Sequence, residues 1–432
     1  MFKKLIEAFK IKEVRIKLIL TIVLLLVFRF GSILPIPLID SSVFASATSG
    51  SNSFLGLLNS ISGGALANGS FLALSVTPYI NASIIMQLLA VAIPALERLG
   101  KQGEEGRKKL NLYTRICALV LSIAQAVGIV VAYSSSIRAD YLWETAPLWL
   151  AAAIVVVVLI AGGMFTVWLG ERITDLGIGN GLSLMIFVGI LSSASSSVLA
   201  TIMQIKNDIS VIWDLVIFAV ALVVIFGLIV FVDLAERKIP VQYAKQIKGR
   251  KMYGGQSTHI PIRVNAGGVM PIIFASALLT FPQLIISIFW PTSNAMAWYN
   301  EWLGAGSWIN IVLTAILILF FSYFYAQITF NPEDVSKQIQ QNGGFIPGFR
   351  PGKTTSDYLK TVNNRITLFG AIFLAFIALI PSLVFKGIWG GSGALVNAFS
   401  ATGLLIVVSC ALEFDKQLDA QLLMKNYRGF LR

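Results

Sequence analysis

Few residues in this chain could do covalent chemistry. The single histidine, His259, stands alone in a polar stretch, and a lone imidazole supports neither a zinc-type cluster nor histidine-based catalysis. Cys117 and Cys410 fall inside long apolar runs and read as packing thiols, not as a disulfide or metal pair. Gly179-Asn180-Gly181 is too short for a phosphate-binding loop. Serine is plentiful, but nothing places a base beside one. No catalytic residue, metal or cofactor is expected, and the chain does not read as an enzyme. What does recur is aliphatic. Val76, Ile80 and Ile84 repeat every four residues on one helix face, and Leu182 and Ile186 repeat the spacing. Such side chains can do only non-covalent work: seal, contact and yield.

The elements that carry them lie in a membrane. The 432 residues are 56% hydrophobic and 12% charged, where soluble domains carry about 25% charge. Crossing the hydrocarbon core takes roughly 20 apolar residues in a helix. Ten stretches qualify, near 17–38, 72–94, 112–133, 148–169, 182–204, 211–232, 269–290, 308–330, 366–386 and 394–413. The fold class is therefore an all-α polytopic membrane protein. The basic lead-in before the first span lacks a cleavage site, so that span is expected to be retained.

Lys and Arg set the orientation. Six lie in the N-terminal segment up to Lys17, five between the second and third spans, seven between the sixth and seventh, five between the eighth and ninth, and four in the tail. The opposite loops hold only Arg138, Lys206 and Lys386. Both termini are thus expected in the cytoplasm, and the net charge of +12 follows largely from this asymmetry. Five spans plus five also permit an inverted repeat.

Several segments are not plain lipid-facing helices. Residues 54–70, FLGLLNSISGGALANGS, are too short and too Gly-interrupted to cross, and fit either an external loop or a re-entrant piece. The second span carries Pro78, Asn81, Ser83 and Gln87, polar groups that serve either helix packing or a cavity. Arg29 is the main ionisable side chain within a span, at a cost of about 2.5–3.5 kcal/mol if central. Asp214 and Asp233 sit at span ends. Two cytoplasmic loops look shaped: KIPVQYAKQIKGRKMYGGQSTHIPIRVN reads as a β-hairpin presenting Lys248, Arg250 and Lys251, and NGGFIPGFRPGKTT holds Arg350 among turns. A channel fits these residues best. A secondary transporter with broken helices is the alternative, and a poreless scaffold the third.

PYINASIIMQLL, GERITDLGIGNG, GRKMYGGQSTHIPIRVN and GGFIPGFRPG, with RFGSILPIPLID and QGEEGRKK, resemble the bacterial SecY family, central subunits of the protein-conducting channel. The resemblance runs through the whole chain. It implies two inverted five-helix halves, 1–205 and 206–432, with cytoplasmic loops 233–268 and 331–365 and a cytoplasmic tail, 414–432. It implies a pore ring of Val76, Ile80, Leu182, Ile186, Ile273 and Ile406. A re-entrant plug at 55–67 would contain Leu55, Leu57, Leu58, Ile61, Gly63, Gly64 and Leu66. A lateral gate would open between the second and third helices on one side and the seventh and eighth on the other, with Ile84 and a Gln87–Asn180 polar pair beside it. Lys238, Lys248, Arg250, Lys251 and Arg350 would dock the SecA motor or the ribosome. SecE and SecG are the implied small subunits, and signal peptides and secretory or membrane proteins the implied substrates. The implied setting is the bacterial inner membrane. The chain departs from the family in carrying Ser75 where Gly is usual, and Val76 and Leu182 where Ile is commoner.

Overall fold

The computed structural model describes residues 2–42, 59, 62–132, 137, 147–204, 211–243, 246–248, 251–253, 257–265, 267–268, 270–289, 298–299, 301–304, 307–389 and 401–429. Leu55, Leu57, Leu58, Ile61 and Arg250 lie outside them.

A short helix α1 (Phe2–Lys10) leads into α2 (Lys12–Ile33). The chain then forms α3 (Thr77–Ala92), α4 (Pro94–Lys101), α5 (Glu104–Ala132), α6 (Leu148–Leu176), α7 (Gly181–Gln204) and α8 (Val211–Asp233). Strands β1 (Glu236–Tyr243), β2 (Gln246–Lys248), β3 (Lys251–Tyr253) and β4 (Ser257–Arg263) follow. The remainder is α9 (Met270–Phe289), α10 (Trp308–Thr329), α11 (Pro332–Gln341), β5 (Gly344–Phe345), α12 (Lys353–Trp389) and α13 (Ala401–Gly429).

Each of the ten expected spans falls on one of these helices. Seven described helices are by themselves long and apolar enough to cross a membrane. The pair Thr77–Ala92 and Pro94–Gly100, bent by 106°, makes an eighth if counted as one span. Their outward faces expose large apolar side chains such as Phe30, Val223, Phe231 and Trp308, as a lipid solvent allows.

Two span boundaries differ from expectation. The first helix ends at Ile33 rather than running to 38, because Pro35 and Pro37 follow and Leu34 is extended. The second begins at Thr77 rather than 72, with Pro78 in its first turn, where a missing N–H costs least. Several helices also outrun their apolar windows: α12 begins at Lys353, well before the expected 366.

Three apolar clusters organise the spans. One gathers Ile36, Leu66, Leu74, Ala126, Val155 and Leu159. A second gathers Ile272, Phe274, Ile318, Phe321, Leu374 and Leu405. The third joins residues from early and late spans, including Phe28, Val76, Ile186 and Ile406. Across the chain's two halves, α5 packs on α9 and α7 on α13.

The expected hairpin is present. β1 and β4 pair antiparallel from Glu236↔Arg263 to Gln242↔Ser257, and β2 and β3 form a separate two-stranded pair with Lys248↔Lys251 in register. The second loop contributes a strand that was not expected: β5 pairs with the end of β1 through Gln242↔Phe345 and Tyr243↔Gly344, giving the order β4-β1-β5. A small core of Ile239, Val241, Ile262, Ile339, Ile346 and Leu359 fuses the two loops into one body.

Candidate functional site

The six aliphatic residues singled out from the sequence come together. Val76, Ile186 and Ile406 are buried in one cluster, and the partly buried Ile80, Leu182 and Ile273 pack against it. They arrive from four places: the turn before α3 and its first turn, the start of α7, the start of α9 and the start of α13. The Ile80 amide donates to the Val76 carbonyl at 3.0 Å, which places the two one helical turn apart on the same face. All six side chains are uncharged hydrocarbon, so the cluster can contact any chain weakly and favour none.

The approach to Val76 is strained. Ser75 has φ of 48°, in the left-handed region that suits glycine. Its hydroxyl is buried and has no hydrogen-bond partner among the described residues. The departure noted above thus falls where a glycine backbone fits better.

Asn180 and its glycines shape the start of α7. The Asn180 side-chain oxygen accepts from the amides of Leu182 at 3.1 Å and Ser183 at 3.4 Å, which caps the helix. Thr21 on α2 accepts from the Ile178 amide at 3.1 Å, and Thr174 accepts from the Gly181 amide at 2.9 Å. These hydroxyls lock the turn and so fix where Leu182 and Ile186 point.

Gln87 is engaged elsewhere. Its carbonyl oxygen accepts from the Tyr325 hydroxyl of α10, and its amide nitrogen donates to Ser83 at 3.0 Å. The expected Gln87–Asn180 pair is therefore replaced here by Gln87–Tyr325, with Asn180 committed to its cap. Ile84 is buried against the cluster built by α8, α9, α10, α12 and α13. The second span thereby meets the later helices through apolar packing, in which Ile80 and Leu88 join Ile84, and through the Gln87–Tyr325 hydrogen bond.

Of the expected plug, Gly63, Gly64 and Leu66 are described. Leu66 is buried against α5 and α6. The segment folds on itself: Gly64 donates to the Asn59 carbonyl at 2.9 Å, and Ala67 donates to the Asn59 side chain at 2.9 Å. Arg29 finds its partner here, with Nη1 donating to the Gly63 carbonyl at 2.6 Å.

On the two shaped loops, Arg350 is exposed and lines an open groove of about 560 Å³ with Gln340, Phe345 and Phe349. Its turn is braced by Thr355, which donates to the Arg350 carbonyl at 2.8 Å, and by Phe349 stacked on Tyr358. Lys238 is an exposed partner of Glu236 at 3.4 Å. Asp233 ties the sheet to the bundle, accepting from Asn265 at 2.6 Å and from Ser409 at 2.8 Å. Beside it, burial and then the nearby Arg263 push the Lys416 ammonium below its usual pKa. Among the described residues no three His, Cys, Asp or Glu could hold a metal ion.

The SecY family profile matches residues 70–414. The chain belongs to the SecY family. The protein translocase subunit SecY of Streptomyces coelicolor is 41% identical over 437 residues, covering 99% of both chains. A solved SecY structure, described as showing that the plug domain stabilises the closed state of the translocation channel and maintains a membrane seal, superposes with TM-score 0.64 at 20% identity. That match covers 94% of this chain and 91% of the other. The channel of a canine ribosome–channel complex from the endoplasmic reticulum superposes with TM-score 0.61 at 18% identity, covering 94% and 91%. At such identities the likeness is one of fold, and it is the SecY fold.

Sequence reasoning missed Tyr325, β5 and the Asp233 junction. Tyr325 left a signal, since a phenol inside an apolar span needs a hydrogen-bond partner. The register of β5 left none, because two residues carry no strand pattern.

Proposed function

We propose that this chain is the protein-conducting subunit of a translocation channel. It passes unfolded secretory polypeptides across the membrane and releases apolar segments sideways into lipid. The observation that carries the reading is the charge-free cluster of Val76, Ile80, Leu182, Ile186, Ile273 and Ile406, drawn from both ends of the chain. A translocating polypeptide presents every side-chain type, so its constriction must bind none. Aliphatic side chains contact each one weakly and, at rest, exclude water and ions by dewetting. A secondary transporter would instead need a polar or charged site that recognises one solute.

In this reading residues 1–205 and 206–432 form the two halves, and 55–67 is the plug. α3 and α5 face α9 and α10 across the lateral gate, with Ile84 and Gln87 on its near side. A segment of a passing chain that reaches this gap gains about 0.3–0.6 kcal/mol per Leu or Ile on entering lipid. Energy comes from partners. The sheet, with Lys238, Lys248, Arg250 and Lys251, and the Arg350 groove dock a cytoplasmic motor of the SecA kind or the ribosome. SecE- and SecG-like subunits complete the assembly. Both termini lie in the cytoplasm of a bacterium whose inner membrane holds the chain.

The test is protease protection. Vesicles holding the chain with its partner subunits, given the motor and ATP, should protect a secretory precursor. They should show no saturable uptake of small solutes. Uptake without protection would favour the transporter.

A further inference from the structure

Arg29 is a charged side chain within the apolar run of α2. It lies 17 residues beyond Lys12, roughly 25 Å along the helix at about 1.5 Å per residue. That puts it toward the end of α2 from which the 34–76 segment departs and returns. Holding a guanidinium there has a cost in desolvation, so its partner matters. The partner is the Gly63 carbonyl, met at 2.6 Å, a short bond of the charge-assisted kind.

The space around the Gly63 α-carbon is equally tight. A β-carbon on Gly63 would sit 2.8 Å from Arg29 Nη1 and 2.9 Å from the Gly189 Cα of α7, and Gly63 has φ of +72°. The peptide is thus clasped between a guanidinium and bare helix backbone, an approach that glycine permits. Other hydrogen bonds of this turn, such as Ser62 Oγ to the Asn59 carbonyl at 3.1 Å, run within the segment and would travel with it. The bond from Arg29 differs in kind, because it ties the turn to a spanning helix.

We propose that Arg29 is a positioning residue for the resting seal, holding the turn at Gly63 seated against α7. The proposal rests on the reading of 55–67 as a plug. The bond suits a releasable latch. It is strong while water is excluded, and weakens once water reaches and rehydrates the guanidinium. The segment is therefore held firmly while the channel is dry and lightly once a passing chain has admitted water.

The test uses Ser62, which is buried at 1% exposure. Ser62→Cys is made with Cys117 replaced and the buried Cys410 kept, its labelling by a membrane-permeant maleimide run in parallel as a control on overall packing. Labelling by a membrane-impermeant maleimide is then followed from outside spheroplasts carrying the full assembly. The parent should label slowly at rest and faster with a stalled precursor. Arg29→Leu should raise the resting rate on the order of ten-fold, with Arg29→Lys in between and Cys410 still protected. Arg29→Gln is read instead if Arg29→Leu is not inserted or exposes Cys410. A resting rate equal to the parent's, while a stalled precursor still raises labelling, overturns the proposal and leaves the plug reading intact. No rise with a stalled precursor in the parent overturns the plug reading, and the proposal with it.

Discussion

Tyr325 donates its phenolic hydroxyl to the side-chain carbonyl of Gln87, a bond between residues 238 positions apart that joins α10 to α3. It crosses the line along which the proposed gate would part. Tyr325→Phe leaves the Gln87 oxygen without this donor. The closed contact should weaken by about 1 kcal/mol, and the open population should rise several-fold. Export of precursors with defective signal peptides is the readout, and it should increase. Gln87→Leu combined with Tyr325→Phe should cost less than the two single changes added together, because neither partner is then left wanting.

Ser75 makes a prediction of opposite sign. Its left-handed backbone and unpartnered buried hydroxyl both work against the fold. Ser75→Gly relieves both, less the extra freedom that glycine gives the unfolded chain. A net gain of about 1 kcal/mol is expected, seen as a higher thermal midpoint in detergent with translocation retained. Ser75→Val should lower the midpoint.

Ile406 is buried at 5% exposure within the aliphatic cluster. Ile406→Val removes one methylene and should cost about 0.5–1.5 kcal/mol, with little functional change. Ile406→Asp instead introduces a group that demands water at the proposed constriction. Resting ion conductance in planar bilayers should rise clearly for the second and little for the first.

Arg350 is exposed in a braced turn, so its charge can be reversed without disturbing packing. Arg350→Glu should leave the thermal midpoint unchanged. It should slow motor-driven translocation by about ten-fold, and the parent's motor affinity should fall with salt as screening dictates.

Much of this was legible because a membrane demands long apolar helices, and hydropathy finds them wherever they lie. All six residues of the aliphatic cluster were named before their packing together could be seen. Four-residue spacing marked Val76–Ile80 and Leu182–Ile186 as shared faces, while Ile273 and Ile406 rested on the family resemblance. Helix ends were less legible. A hydropathy window passes through Pro35 and over Ser75 without registering that each ends or delays a helix. Long-range pairs were not legible at all. Gln87 could have met any of several spans, and only the packed bundle selects Tyr325 over the expected Asn180. Arg29 was visible as an anomaly, but its carbonyl partner belongs to a turn whose placement no periodicity encodes.

The most direct measurement is site-specific crosslinking from a single cysteine at Ile80, with Cys117 and Cys410 replaced. A secretory precursor is stalled during translocation in membranes supplied with the motor and ATP. The account predicts a crosslink between the stalled chain and position 80, and none at the outward-facing Phe231, which is 75% exposed. A stalled chain that engages the assembly yet never meets position 80 would contradict the pore placed here.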